Sequence, residues 1–169
     1  MLFDNLFKEL ACGPGIIRAL VAGMTAAEAR SRPLPESWST LEVVCHLRDE
    51  EREDFRPRLD LILHRPYELL PSIDPQSWVA DRRYNERDLA EMLDGFVTER
   101  ARSLDWLQGL AAADWEAEYT TPFGSIKAGD MLAAWAAHDN LHTRQLVELR
   151  RNRLVNLAAP YEVRYAGEW

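Results

Sequence analysis

Two cysteines in 169 residues, Cys12 and Cys45, are too few for a disulfide framework, and a reducing compartment would keep both as thiols. Long hydrophobic runs are missing as well. No segment approaches the roughly 18 consecutive apolar residues that a membrane helix needs. The first ten residues mix acidic and basic side chains, so the pattern of a secretory signal is absent and a cytoplasmic location is expected. Basic residues are in deficit, with 20 Lys and Arg against 28 Asp and Glu and a formal net charge of -8. That balance repels phosphate backbones and anionic lipid, and only short basic groups such as Arg150, Arg151 and Arg153 oppose it. No nucleic acid and no membrane are therefore expected among the partners.

A 47% hydrophobic share is enough for a sizeable core in one domain over residues 1–169. Strand-like alternation is scarce before the tail, and apolar residues at helical spacing predict an all-α fold. Leu2, Leu6, Leu10, Ile17, Leu20 and Val21 give a first helix over about 2–23, which Gly13, Pro14 and Gly15 should kink or restart. Ser39 followed three residues later by Glu42 reads as a capping box that opens a second helix. It carries Leu41, Val44, Leu47, Phe55, Leu59 and Ile62 to about Leu63, with a bend expected at Pro57. The segment His64 to Tyr84, with three prolines, reads as a long loop over one end of the molecule. Asn85 is the expected cap of a third helix containing Leu89, Met92, Phe96, Leu104, Leu107 and Leu110. After a loop at 114–124, a fourth helix is predicted over 127–151. Four helices of about 20 residues each span about 30 Å, the common length of a bundle. In the tail, Tyr161, Val163, Tyr165 and Trp169 alternate with charged residues, which predicts an extended segment with the terminal ring covered.

In the fourth helix Met131, Trp135, His138, His142, Gln145 and Leu149 fall on one stripe, so two histidines occupy core positions. Four residues apart, their rings lie on one face one turn apart, a spacing at which two imidazoles can share a metal ion. In the second helix His46 shares a face with Glu50, and around it the apolar stripe gives way to the charged run Arg48 to Asp54. A polar cavity holding a cation accounts for both the core histidines and the misplaced charges. The plainer readings are a histidine donating to a carbonyl or carboxylate, and a charge run that is mostly solvated. His64 reads as a surface residue. Cys45, about 100° around the helix from His46, reads as a small core residue. His138, Asp139 and His142 also have the outline of an H-E-x-x-H protease helix, but with the shorter Asp at the base position, so Asp139 is better placed to support a ligand.

Trp38-Ser39 before the second helix, His46-Leu47 within it, and the run from Trp135 through His138-Asp139-Asn140-Leu141-His142 to Arg144-Gln145 resemble the DinB-like superfamily. The ending Pro160-Tyr161 to Trp169 is similar to one branch of it. The resemblance implies an up-down-down-up four-helix bundle with an extended C-terminal tail. It also implies a divalent metal (zinc, nickel or iron) on His46, His138 and His142, and a homodimer. Relatives of known activity are mostly S-transferases or isomerases that use a low-molecular-weight thiol. The reaction so implied is a metal-activated thiol attacking a small electrophilic substrate. A metal-dependent hydrolase and a non-catalytic, stress-associated metal-binding bundle are the alternatives.

Three neutral histidine ligands leave at least one coordination position open, as catalytic sites do. Water or a thiol there would lose its proton more readily. Glu50 is the candidate catalytic residue, either accepting that proton or orienting a histidine, and Gln145 is placed to orient His142.

Overall fold

The computed structural model describes residues 2–121 and 124–169, apart from the side chain of Leu2. Its elements are α1 (Leu2–Val21), α2 (Ala26–Arg30), α3 (Thr40–Glu50), α4 (Arg56–His64), α5 (Pro75–Asp81), α6 (Leu89–Gln108), β1 (Glu118–Thr121), β2 (Gly124–Lys127) and α7 (Ala128–Ala158). A π turn over Glu51–Phe55 joins α3 to α4, so the two form one long rod. The four rods α1, α3–α4, α6 and α7 make the bundle.

Their directions follow from which residues meet. Ser39 bonds Asn85, Glu51 bonds Arg100, and Arg56 bonds Ser103, so α3–α4 and α6 run parallel. His46 meets His138 whereas Glu51 meets Trp135, so α7 runs against α3. Arg100 reaches the Leu10 carbonyl and Arg18 pairs with Asp94, so α1 opposes α6. Leu20 accepts from Arg150, while Asp139 lies against Gly13, so α1 and α7 are parallel. The order is up-down-down-up.

The parallel pair needs a long return connection, and the 65–88 segment supplies it. It is more ordered than a loop: α5 buries Trp78, and Tyr84 sits in a short 3₁₀ turn and is also buried. Asp88 and not Asn85 caps α6, accepting from the Glu91 amide at 2.9 Å. Asn85 instead joins two elements, accepting from Ser39 Oγ at 2.7 Å and donating to the Arg30 carbonyl at 3.0 Å. The 114–124 stretch leads into a β-hairpin pairing Glu118 with Lys127, and Tyr119 Oη accepts from the Leu70 amide at 3.1 Å. Pro122 and Phe123 lie outside the described residues.

Both expected helix breaks are absorbed without ending a rod. Pro14 has no N–H to give the Leu10 carbonyl, and Arg100 Nη1 donates to that oxygen at 2.7 Å in its place, so α1 runs through. Pro57 lies two residues past the end of the π turn, a widening that helices use where regular i to i−4 bonding fails.

The interior is stacked along the bundle axis in three layers. One apolar layer holds Ile17, Leu41, Val44, Leu47, Phe96 and Leu146. The other holds Leu10, Phe55, Leu59, Ile62, Leu107 and Trp135. Between them each long rod except α1 contributes buried polar side chains: His46, Glu50 and Glu51, then Arg100 and Ser103, then Asp139 and His142. The first rod contributes Gly13, where a Cβ would come 2.6 Å from Asp139 Oδ2. At the C-terminus α7 continues seven residues past the predicted end, and the remaining tail leaves Trp169 70% exposed, with the Arg151 guanidinium 5.0 Å from its ring. The terminal ring is therefore shielded on one side only, contrary to the expectation from alternation.

Candidate metal centre

The middle layer gathers three of the four histidines. A capping box fixes the start of α3: Ser39 Oγ accepts from the Glu42 amide at 3.2 Å, and Glu42 Oε2 accepts from the Ser39 amide at 2.8 Å. Seven residues on, His46 points into the bundle. From the antiparallel α7, His138 and His142 meet it across the core. His46 Nε2 lies 3.3 Å from His138 Nε2, and His142 Nε2 lies 3.1 Å from the same atom. One ligand atom from each residue falls within 4.8 Å of the other two. Two nitrogens bound at about 2.0–2.1 Å with a tetrahedral angle between them stand about 3.3 Å apart, so the spacing fits a zinc-like ion. His64, by contrast, lies at the end of α4 beside Asp60, 4.0 Å away, and takes no part.

The outward ring nitrogens set the tautomers. His142 Nδ1 donates to Gln145 Oε1 at 2.8 Å, which leaves its Nε2 as a lone pair facing the other two rings. His46 Nδ1 faces Glu50 Oε1 at 3.7 Å and has no closer partner among the described residues. Glu50 therefore stands behind the His46 ring, on the side away from the shared point. Burial, and then the neighbouring imidazoles, push His46 down to about 2. Burial likewise lowers His138 to about 3, with His142 and Arg100 adding to it, and burial also lowers His142. All three are neutral near pH 7, the form that ligates metal. Burial pushes Glu50 up to about 8, helped by its hydrogen bond with Asp54 and by that residue's charge. A cation beside His46 would draw it back toward the carboxylate.

Aromatic rings wall the centre. Trp38 stacks on His142 with ring centres 6.2 Å apart and meets His46 edge-on at 4.9 Å. Phe55 packs on His138 at 5.0 Å and stacks on Trp135 at 5.7 Å. Beneath the histidines lies a buried ionic cluster. Arg100, 1% exposed, donates to Glu51 Oε1, to both oxygens of Asp139 at 2.6 and 2.9 Å, and to the Leu10 carbonyl. Glu51 also accepts from Trp135 Nε1 at 2.6 Å and Ser103 Oγ at 2.8 Å. Asp139 thus faces Arg100 and holds α7 in rotation beside His138.

The charged run Arg48 to Asp54 is split: Asp49, Glu50 and Glu51 are buried, whereas Arg52 is exposed and the others are half-buried. Asp49 accepts from Arg82 at 2.6 Å and Tyr84 Oη at 2.8 Å. Cys45 is in the core as expected, 1% exposed, with burial raising its thiol to about 12. Arg100, Glu51 and Phe55 were not marked as parts of the site. The signal for two of them was available, since an Arg at a core position of the third helix needs an acidic partner from elsewhere.

Three imidazoles converging inside an up-down-down-up arrangement define a four-helix bundle with a candidate metal site. A family model for the DinB superfamily matches residues 13–146, and the chain belongs to that superfamily. Among solved structures it is similar to YfiT from Bacillus subtilis, at 20% sequence identity and a TM-score of 0.79. That match covers 89% of this chain and 87% of the other. YfiT is described as a probable metal-dependent hydrolase with an unusual four-helix bundle topology. No curated protein matches the chain. No described helix is long and apolar enough to cross a membrane.

Proposed function

We propose that His46, His138 and His142 hold one divalent ion, zinc, nickel or iron, and that the chain is a metal-dependent hydrolase of small molecules. The observation that carries this reading is the convergence of three neutral imidazoles in the middle layer, with His138 Nε2 3.3 Å from His46 Nε2 and 3.1 Å from His142 Nε2. No carboxylate joins the set among the described residues, and a site with three neutral ligands keeps a position open, as catalytic zinc sites do. A divalent ion held there supplies Lewis acidity to a water, a thiol or a substrate oxygen. Gln145 keeps the His142 Nε2 lone pair on the shared point, and Glu50 is positioned to do the same for His46 through Nδ1. Of the two roles open to Glu50, this reading assigns it positioning of the ligand. Trp38 and Phe55 limit the approach of bulk water.

A second reading, transfer of a low-molecular-weight thiol to an electrophile, draws support from a cavity of about 470 Å³ beside His142. Gln76, Gln145 and Asn152 offer amides there, and the space admits more than a water. Elemental analysis of purified protein should find about one ion per chain, and His138→Ala should lose most of it. Equal metal content in the two would reject the centre. Metal-dependent turnover of activated esters and amides without added thiol supports hydrolysis, whereas turnover only with thiol supports transfer. The expected homodimer is retained as part of this proposal, since Leu154, Leu157 and Trp169 expose apolar surface at one end of α7. Light scattering on the purified chain reads its mass directly.

A further inference from the structure

The cavity beside His142 carries information about charge as well as size. It starts at the metal centre, where Trp38 and His142 form part of its wall, and extends along α7 past Gln145 to Asn152. Its ionisable lining, apart from His142, consists of Glu36 and Glu148, with Gln76 and Asn152 as neutral polar groups. No Lys or Arg lines it among the described residues. Glu36 makes no ion pair among the described residues, and Glu148 meets only Arg144, an exposed side chain, at 3.1 Å. The nearest arginines of the adjoining cavity, Arg32 and Arg153, are committed to Glu42 and Glu28 respectively. A carboxylate or phosphate in the cavity would thus face two carboxylates and a net-negative protein, with no Lys or Arg among the described lining residues to meet it. An ammonium group would find two carboxylates, amide oxygens and the indole of Trp38.

We infer that the molecule taken at this site is cationic, carrying an ammonium or quaternary nitrogen next to the group that reaches the metal, and that anionic substrates and anionic thiols bind more weakly. The inference rests on the proposed metal centre and adds the substrate class to it. Selection comes from the cavity wall, because the three neutral imidazoles and the ion would by themselves attract an anion. The ion's preference and the wall's preference oppose each other, and a ligand with a thiolate at one end and an ammonium at the other satisfies both.

The test uses cobalt-loaded full-length protein, whose visible bands report ligands entering the coordination sphere. Three thiols of similar size serve as probes: thiocholine, 2-mercaptoethanol and 3-mercaptopropionate. The expected order of affinity is thiocholine first and mercaptopropionate last. Each partly exposed ion pair is worth up to about fivefold, so the outer two should differ by about tenfold or more at low salt. Glu36→Gln with Glu148→Gln should bring the three within about threefold of one another. Glu116→Gln removes the same kind of charge beside the first turn of α7, about 20 Å along the helix, and should leave the order intact. Mercaptopropionate binding as tightly as thiocholine overturns the inference. So does an order that the Glu36 and Glu148 changes leave untouched, and so does the absence of any spectral response to thiocholine. Failure of the underlying centre looks different: no cobalt bands appear with or without thiol, and both readings fall together.

Discussion

Replacing Arg100 by Met should be among the most damaging single changes in the protein, because it removes one cation from between two buried carboxylates. The guanidinium is 1% exposed and donates to Glu51, to both Asp139 oxygens and to the Leu10 carbonyl, which Pro14 leaves without a helical donor. Met fills a similar volume, so the loss is electrostatic and not a cavity. Removing one partner of a buried ion pair typically costs about 3–5 kcal/mol, and here two carboxylates and one backbone carbonyl are stranded together. At about 2–4 °C per kcal/mol for a chain of this size, the midpoint should fall by roughly 10 °C. Urea unfolding of the metal-free protein at pH 7, followed by circular dichroism, gives the value directly. Adding Glu51→Gln and Asp139→Asn to Arg100→Met removes the stranded charges and should recover most of the loss, since an ion cluster replaced as a unit is often near neutral. A loss under about 1 kcal/mol for the single variant would refute the reasoning, as would a triple variant no more stable than the single.

The remaining expectations use the same layer. Gly13→Ala should destabilise by about 1 kcal/mol despite its gain in helix propensity, because its Cβ would stand 2.6 Å from an Asp139 oxygen that Arg100 holds in place. Gly15→Ala, with nothing within 4 Å, should stabilise by about 0.5–1 kcal/mol, and denaturant titration of the pair separates close packing from propensity. His46 and His138 have folded values depressed to about 2 and 3 below an ordinary 6.5, so the unfolded chain binds more protons in between. These two groups should therefore lower the stability of the metal-free protein as the pH drops from 6.5 toward 3, outweighing the opposing group, Glu50, whose raised value costs stability as the pH climbs toward 8. A flat stability profile between pH 7 and 4 would contradict the buried neutral triad. Gln145→Leu should lower metal affinity about 10- to 100-fold by freeing the His142 ring, while Gln145→Glu, which keeps the acceptor, should largely restore it.

Much of this was legible from residue order. The helical period of Leu41, Val44, Phe96, Leu107 and Leu146 reports a face that must be buried, whatever it is buried against, and the Ser39 and Glu42 capping box is a contact between residues three apart. His138 and His142 are neighbours on one helix face, so half of the centre is a local fact of the 3.6-residue turn. The arrival of His46 from a second helix was supplied by resemblance to a family, because no spacing within α3 says what stands across the core from it. Local reading failed where a residue's role depends on a distant partner. Asn85 has the chemistry of a cap but is drawn to Ser39 and Arg30, and Asp88 takes the capping position. The alternating tail suggests an extended segment with a covered ring, yet Trp169 stays 70% exposed with Arg151 over one face.

The sequence by itself determined the four rods, their apolar faces and the pairing of two imidazoles, since each depends on residues within a turn or two of one another. The tertiary structure was needed to show which carboxylates lie inside, that Arg100 answers Glu51, Asp139 and the Leu10 carbonyl at once, and that the described lining of the cavity beside His142 holds two glutamates and no Lys or Arg. Burial and charge pairing are properties of residues far apart in the chain, and they acquire values only when the parallel and antiparallel contacts of the bundle bring those residues together.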